Sequence, residues 1–302
     1  MRKNLTKKLF LSVLTLAFAV VSLGASTYAW FTMSKDADVE AFTADVKAGE
    51  GIEIAVTSQE AVGNAQWYTG VVPADVVQAA AVPTGFKFDA VSTADGKTFV
   101  DKEKASVTTG YISFYIHIKA AEAGDIKLNG ITLDSKSAGA EPTNWTADAA
   151  YKLDGSNLVN VNDKVLYEVE NAARVSLTIG AGNAQLYEKG AITPELVETV
   201  DGQSTYKAGN QTGQSVKNGA YDYYNAKNSV SLVDANNIAA YQATALEGLE
   251  ANPQQLINLG TDQTVTIKVN VWIEGWDAEC LNAIFAQTLS VAFSFTYVAP
   301  QA

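Results

Sequence analysis

A chain of 302 residues with 33 acidic residues, 21 basic residues and one His carries a net charge of −12. That balance argues against nucleic-acid binding, which needs a basic face, and against binding to anionic lipid. A single cysteine, Cys280, excludes an intrachain disulfide, so core burial must hold the chain together, with Cys280 expected inside it.

The N-terminus reads as an export signal. Arg2, Lys3, Lys7 and Lys8 form a basic head, and "LFLSVLTLAFAVVSLGA", Leu9 to Ala25, runs 17 residues without a charge. A basic head, an apolar run and small residues before a cut describe a secretory signal, here residues 1–29 with Ala29 as the last. The run also meets the lower limit for spanning a bilayer, so a retained anchor stays open. Cleavage after Ala29 leaves 17 basic and 33 acidic residues, a net charge of −16. This suits a soluble or self-assembling exported protein with no membrane contact once cut.

The remaining chain reads as β. Segments expected as strands are "GIEIAVTS" (51–58), "FKFDAV" (86–91), "GYISFYIHIKA" (110–120), "DIKLNGITL" (125–133), "KVLYEVE" (164–170) and "ARVSLTIG" (173–180). In the third, Ile112, Phe114, Ile116 and Ile118 alternate with Tyr111, Tyr115, His117 and Lys119, a half-buried pattern with the second set toward solvent. Turn-rich stretches such as "TADGK" and "LDGSN" separate strands. The polar span 180–228 reads as an elaborated loop region or an insertion between strands, and 234–250 as the best helix candidate, with Asp234 at its N-cap. In "QTVTIKVNVWIEG" (263–275), Val265, Ile267, Val269, Val271 and Ile273 share one face; Thr264, Thr266, Lys268, Asn270 and Trp272 share the other. In "TLSVAFSFTYV" (288–298), Leu289, Val291, Phe293, Phe295 and Tyr297 alternate with polar residues, and a short helix is expected after Cys280. Many alternating strands with few short helices predict an antiparallel β-sandwich, jelly-roll-like, over residues 47–302.

Motifs for chemistry are scarce. One histidine, His117, rules out an HExxH site, and no nucleophile elbow, phosphate loop or dinucleotide fingerprint is present. The chain is therefore expected not to be an enzyme. The densest cluster is "VWIEGWDAECLN" (271–282), where Glu274, Asp277 and Glu279 lie beside Trp272 and Trp276. Oxygens converging from a loop are what a hard cation such as Ca²⁺ requires; a tight connection between two strands, capped by tryptophans, is the other reading. Exposed aromatic residues would also suit a monomeric binding module for glycan or calcium.

The junction "GASTYAWFT" (24–32) resembles the signal ends of exported Gram-positive proteins cut by the SipW type of signal peptidase. "FTADVKAGEGIEIAVTS", "ISFYIHIKA" and "LSVAFSFTYVAPQ" are similar to the first, middle and closing strands of the TasA and camelysin family of biofilm-matrix fibre proteins. The resemblance implies a secreted jelly-roll subunit that polymerises with itself at the cell surface, with other matrix proteins or glycans as further partners. It also implies assembly by donor-strand exchange. The donor would be residues 30–46, with Trp30, Phe31, Met33, Val39, Phe42 and Val46 as its apolar residues. The other reading is that this segment forms the first strand of its own sandwich.

Overall fold

The computed structural model describes residues 42–101, 105–136, 143–153, 156–190, 192–208, 220–229, 243–275, 284 and 287–300. In chain order the strands begin with β1 (Phe42–Lys47), β2 (Ile52–Thr57), β3 (Val71–Val72), β4 (Ala90–Thr93), β5 (Phe99–Val100), β6 (Ser106–Val107) and β7 (Ile112–Ala120). They continue with β8 (Gly124–Lys136), β9 (Thr143–Thr146), β10 (Tyr151–Lys152), β11 (Leu158–Val159), β12 (Lys164–Tyr167), β13 (Ala173–Ile179) and β14 (Gln185–Glu188). The last are β15 (Glu195–Val200), β16 (Gln203–Lys207), β17 (Ala243–Ala245), β18 (Gln254–Leu259), β19 (Thr264–Glu274) and β20 (Thr288–Val298). The described helices are α1 (Ala74–Ala81), α2 (Val169–Ala172) and α3 (Ala220–Asn228). The chain is mainly β, as its alternating segments predict.

Two sheets face each other. One has the order β18-β8-β20-β1-β3. The other runs β17-β14-β13-β19-β7-β2. Their apolar phases interlock in one core: Ile112, Phe114, Ile116 and Ile118 of β7, the alternate valines and isoleucines of β19, and Leu289 to Phe295 of β20 are all buried. Phe114 and Phe293 meet edge-to-face across the gap, with centroids 6.1 Å apart. A smaller sheet, β15-β16-β12-β9, joins at one side. There Trp145, Tyr151, Tyr167 and Tyr223 pack ring against ring and anchor α3.

The outer face of β19 differs from the expected solvent phase. Asn270 and Trp272 are buried, while Thr264 is exposed. β4 pairs with the end of β19 in parallel, and β5 and β6 follow it antiparallel. This three-stranded flap forms a second core with Val91, Phe99, Leu186 and Trp272. Phe99 stacks on Tyr111 at 3.9 Å and meets Trp272 edge-on at 5.3 Å. Ser176 Oγ and Asn270 Nδ2 both donate to the Gly96 carbonyl, at 2.7 and 2.9 Å, and tie the flap down.

Other expectations are corrected. The described residues of the span 180–228 hold β14, the β15–β16 hairpin and α3, an insertion with its own elements and not one loop. Asp201 and Gly202 take φ of 51° and 80°, the paired positive values of a tight hairpin turn. Of the helix expected over 234–250, residues 234–242 lie outside the described residues. Ala243–Ala245 forms β17, parallel to β14, and Leu246 and Leu249 bury themselves from a turn. Their apolar spacing is satisfied without a helix. "KVLYEVE" is strand only to Tyr167, after which α2 begins, and "FKFDAV" becomes strand only at Ala90.

Candidate functional site

The predicted donor segment ends in β1, and its alternation is clear. Ala44, Val46 and Ala48 are buried, whereas Thr43, Asp45 and Lys47 are exposed. β1 pairs in parallel with β20, from Phe42 opposite Leu289 to Lys47 opposite Ser294. On its other side only Val46 and Lys47 have strand partners, Val72 and Val71 of β3, among the described residues. Val46 therefore fills a place in the chain's own core, and β1 is a strand of its own sandwich. Trp30, Phe31, Met33 and Val39 lie outside the described residues; Phe42 is placed by its backbone pairing alone.

The exit from β1 is built for close approach. The chain crosses between the two sheets over Ala48–Gly51, and the Ala48 N–H donates to the Gly70 carbonyl at 2.9 Å. A Cβ on Gly49 would lie 2.9 Å from the Phe295 carbonyl oxygen and 3.2 Å from Thr296 Cα. Gly51 takes φ of 84°, a left-handed conformation natural to glycine. On the outer face, a cleft of about 650 Å³ crosses β1, β20 and β8, floored by Lys47, Thr132, Ala292 and Ser294.

Of the three acidic residues proposed for a cation, only Glu274 lies among the described residues. Glu274 is fully buried, and Trp272 Nε1 donates to its Oε2 at 3.0 Å. Beside it, β13 sets Arg174 between Trp272 and Glu188. No group of three or more His, Cys, Asp or Glu able to hold a metal occurs among the described residues. Asp277 and Glu279, the other two proposed ligands, lie outside the described residues, as do Trp276 and Cys280.

His117 is also buried, contrary to its expected solvent phase. Thr57 gives its hydroxyl proton to the Gln59 carbonyl, so it accepts from His117 Nε2 at 2.8 Å. Nδ1 then accepts from the Thr266 hydroxyl at 2.9 Å. The neutral ring bridges β2, β7 and β19. Desolvation holds its pKa below the usual 6.5, despite the nearby Gln59 carbonyl.

Sequence reasoning missed the β15–β16 hairpin, whose signal was the Asp201-Gly202 turn, and the covering of Trp272 by the flap, of which it read only the end of "FKFDAV" and the "TADGK" turn. No family model matches the chain, no curated protein matches it, and no solved structure matches it.

Proposed function

We propose that this chain is a secreted structural subunit that polymerises into filaments at the cell surface or in a biofilm matrix. Its subunit is jelly-roll-like, and assembly proceeds by exchange of the N-terminal strand. The observation that carries this reading is the seat of β1. The strand is short and pairs in parallel with β20, and among its described side chains Ala44 and Val46 are the buried ones. It is joined to the next strand through a glycine-containing crossing. A second copy's β1 can fill the same seat in the same register, because every contact is reproduced between chains. Added strands gain affinity from main-chain hydrogen bonds and specificity from alternate side chains. Joined head to tail without closure, such contacts make a filament. The leader-like residues 1–29 and the similarity to TasA and camelysin strands support the same reading.

The test is a cross-link. Ala44 and Val291 are register partners. With Cys280→Ser, Ala44→Cys and Val291→Cys combined, oxidation of filaments grown from the chain starting at Trp30 yields a ladder of covalent multimers. Filaments whose bridges are all intrachain, or a chain that forms no filaments in electron micrographs, overturn the proposal.

A further inference from the structure

Exposed apolar surface is concentrated at one corner. Among the described residues seven large hydrophobic side chains are exposed, and six of them are Leu158, Val161, Ile192, Leu196, Val197 and Val200. Three lie on β15, all of whose six residues are exposed. β15 is the end strand of its sheet and pairs only with β16 among the described residues. The segment bearing Leu158 and Val161 is held against the same hairpin: Tyr206 donates to the Leu158 carbonyl at 3.1 Å, and Gln203 to the Asn162 carbonyl. Leu196 stands opposite Tyr206, so it shares that face.

An edge strand with open N–H and C=O groups and exposed aliphatic residues is a template for another strand. We infer that the β15 edge binds a second copy of itself, antiparallel about a two-fold axis between Val197 and Glu198. That register sets six residues opposite six, with the Val197 bulge of each copy beside the axis. It sets Glu195 opposite Val200, Leu196 opposite Thr199 and Val197 opposite Glu198, so no acid faces an acid. Sliding one step one way sets Glu198 against its own counterpart, and two steps the other way set Glu195 against Glu198; the single step the other way, with Val197 opposite itself, also keeps acids apart but pairs five residues instead of six. Charge thus selects among registers, and the bulge between Leu196 and Glu198 restricts pairing further. Area argues for the same occupant. The six aliphatic side chains expose roughly 500 Å² together, spread over both faces of the hairpin, since Leu196 stands opposite Tyr206 and Val200 opposite Gln203. Two copies would bury on the order of 1,000 Å² in total, where specific weak interfaces begin. The contact is isologous and lies on a different sheet from β1, so it is independent of strand exchange. In free chains it makes dimers; in filaments it joins them side by side.

The test uses the chain starting at Trp30 with Val46→Asp, which removes β1 docking as a source of assembly, beside the unsubstituted chain. Amide hydrogen exchange is followed over a hundredfold concentration range, with sedimentation equilibrium for mass. The expected result is protection of 195–200 that rises with concentration in both chains. Leu196→Lys combined with Val200→Lys should abolish that protection and weaken self-association at least tenfold, with an unchanged far-ultraviolet spectrum because both sites are exposed. Concentration-independent exchange at 195–200 overturns the inference, as does association that survives the double substitution or protection that appears only when another protein is added. Should Val46→Asp unfold the chain, the unsubstituted filaments decide: β15 amides exchanging as fast as in dilute monomer refute the contact.

Discussion

Arg174 and Glu188 face each other across β13 and β14, with Nε 2.7 Å from Oε2 and both side chains shut away from water. Arg174 also donates through Nη1 to the carbonyls of Asn171 and Ala173, at 2.9 and 3.0 Å. A charge pair in this setting is a poor source of net stability, but either member alone is a buried charge without its counter-ion. Glu188→Leu is therefore expected to destabilise the chain by about 3–5 kcal/mol. Arg174→Met with Glu188→Leu should cost clearly less than the two single changes together. Urea unfolding of the four proteins in a double-mutant cycle measures this; additive costs would refute the coupling.

His117 makes stability depend on pH. Its folded pKa is lowered, so below its ordinary value of 6.5 the unfolded chain takes up a proton that the folded chain resists. The stability it allows is complete above that value and is lost as pH falls toward the folded pKa. We expect a Tm lower by a few degrees at about pH 5 than at about pH 7.5, and a smaller difference in His117→Gln. Equal differences in the two proteins would place the titration elsewhere.

Gly49 has no room for a side chain, since the added Cβ would press on the Phe295 and Thr296 backbone. Backbone atoms of a central strand yield less readily than a side-chain tip. Gly49→Ala should lower stability by about 1–3 kcal/mol. Gly70→Ala is the control, since nothing lies within 4 Å of its added Cβ. Chemical denaturation of both separates a steric effect from a general change in glycine content.

The flap should be seen through Trp272, which has no exposed surface. Phe99 covers it and is 1% exposed. Phe99→Ala removes that cover at about 3–5 kcal/mol if the chain stays folded, and the tryptophan emission should shift to longer wavelength. An unshifted spectrum with the full loss of stability would mean that the gap stays unfilled and closed to water.

The long strands were legible because their pattern is local. β7, β19 and β20 alternate over nine to eleven residues, and their apolar phases do point into the core. Their opposite phases were legible only in part. Nothing near Trp272 or Asn270 announces that β4, β5 and β6, far away in sequence, will fold across them. His117 misled for the same reason, since Thr57 and Thr266 come from other strands. β15 was hidden differently. Its six residues touch no core, so they carry no burial pattern to read; only the Asp201-Gly202 turn marks the hairpin. In the candidate site, Val46 was legible as an apolar strand residue, but its partner was not, because pairing with β20 joins the two ends of the chain.

That pairing has a consequence in time. β1 lies against β20, the first described strand against the last, with Phe42 opposite Leu289. Contacts so distant along the chain form late and slowly. In a polypeptide that emerges from its N-terminus, β1 appears before the strand that will receive it has been made. For that interval β1 exists without the strand it pairs with, and this parallel pair is among the last parts of the sheet that can close.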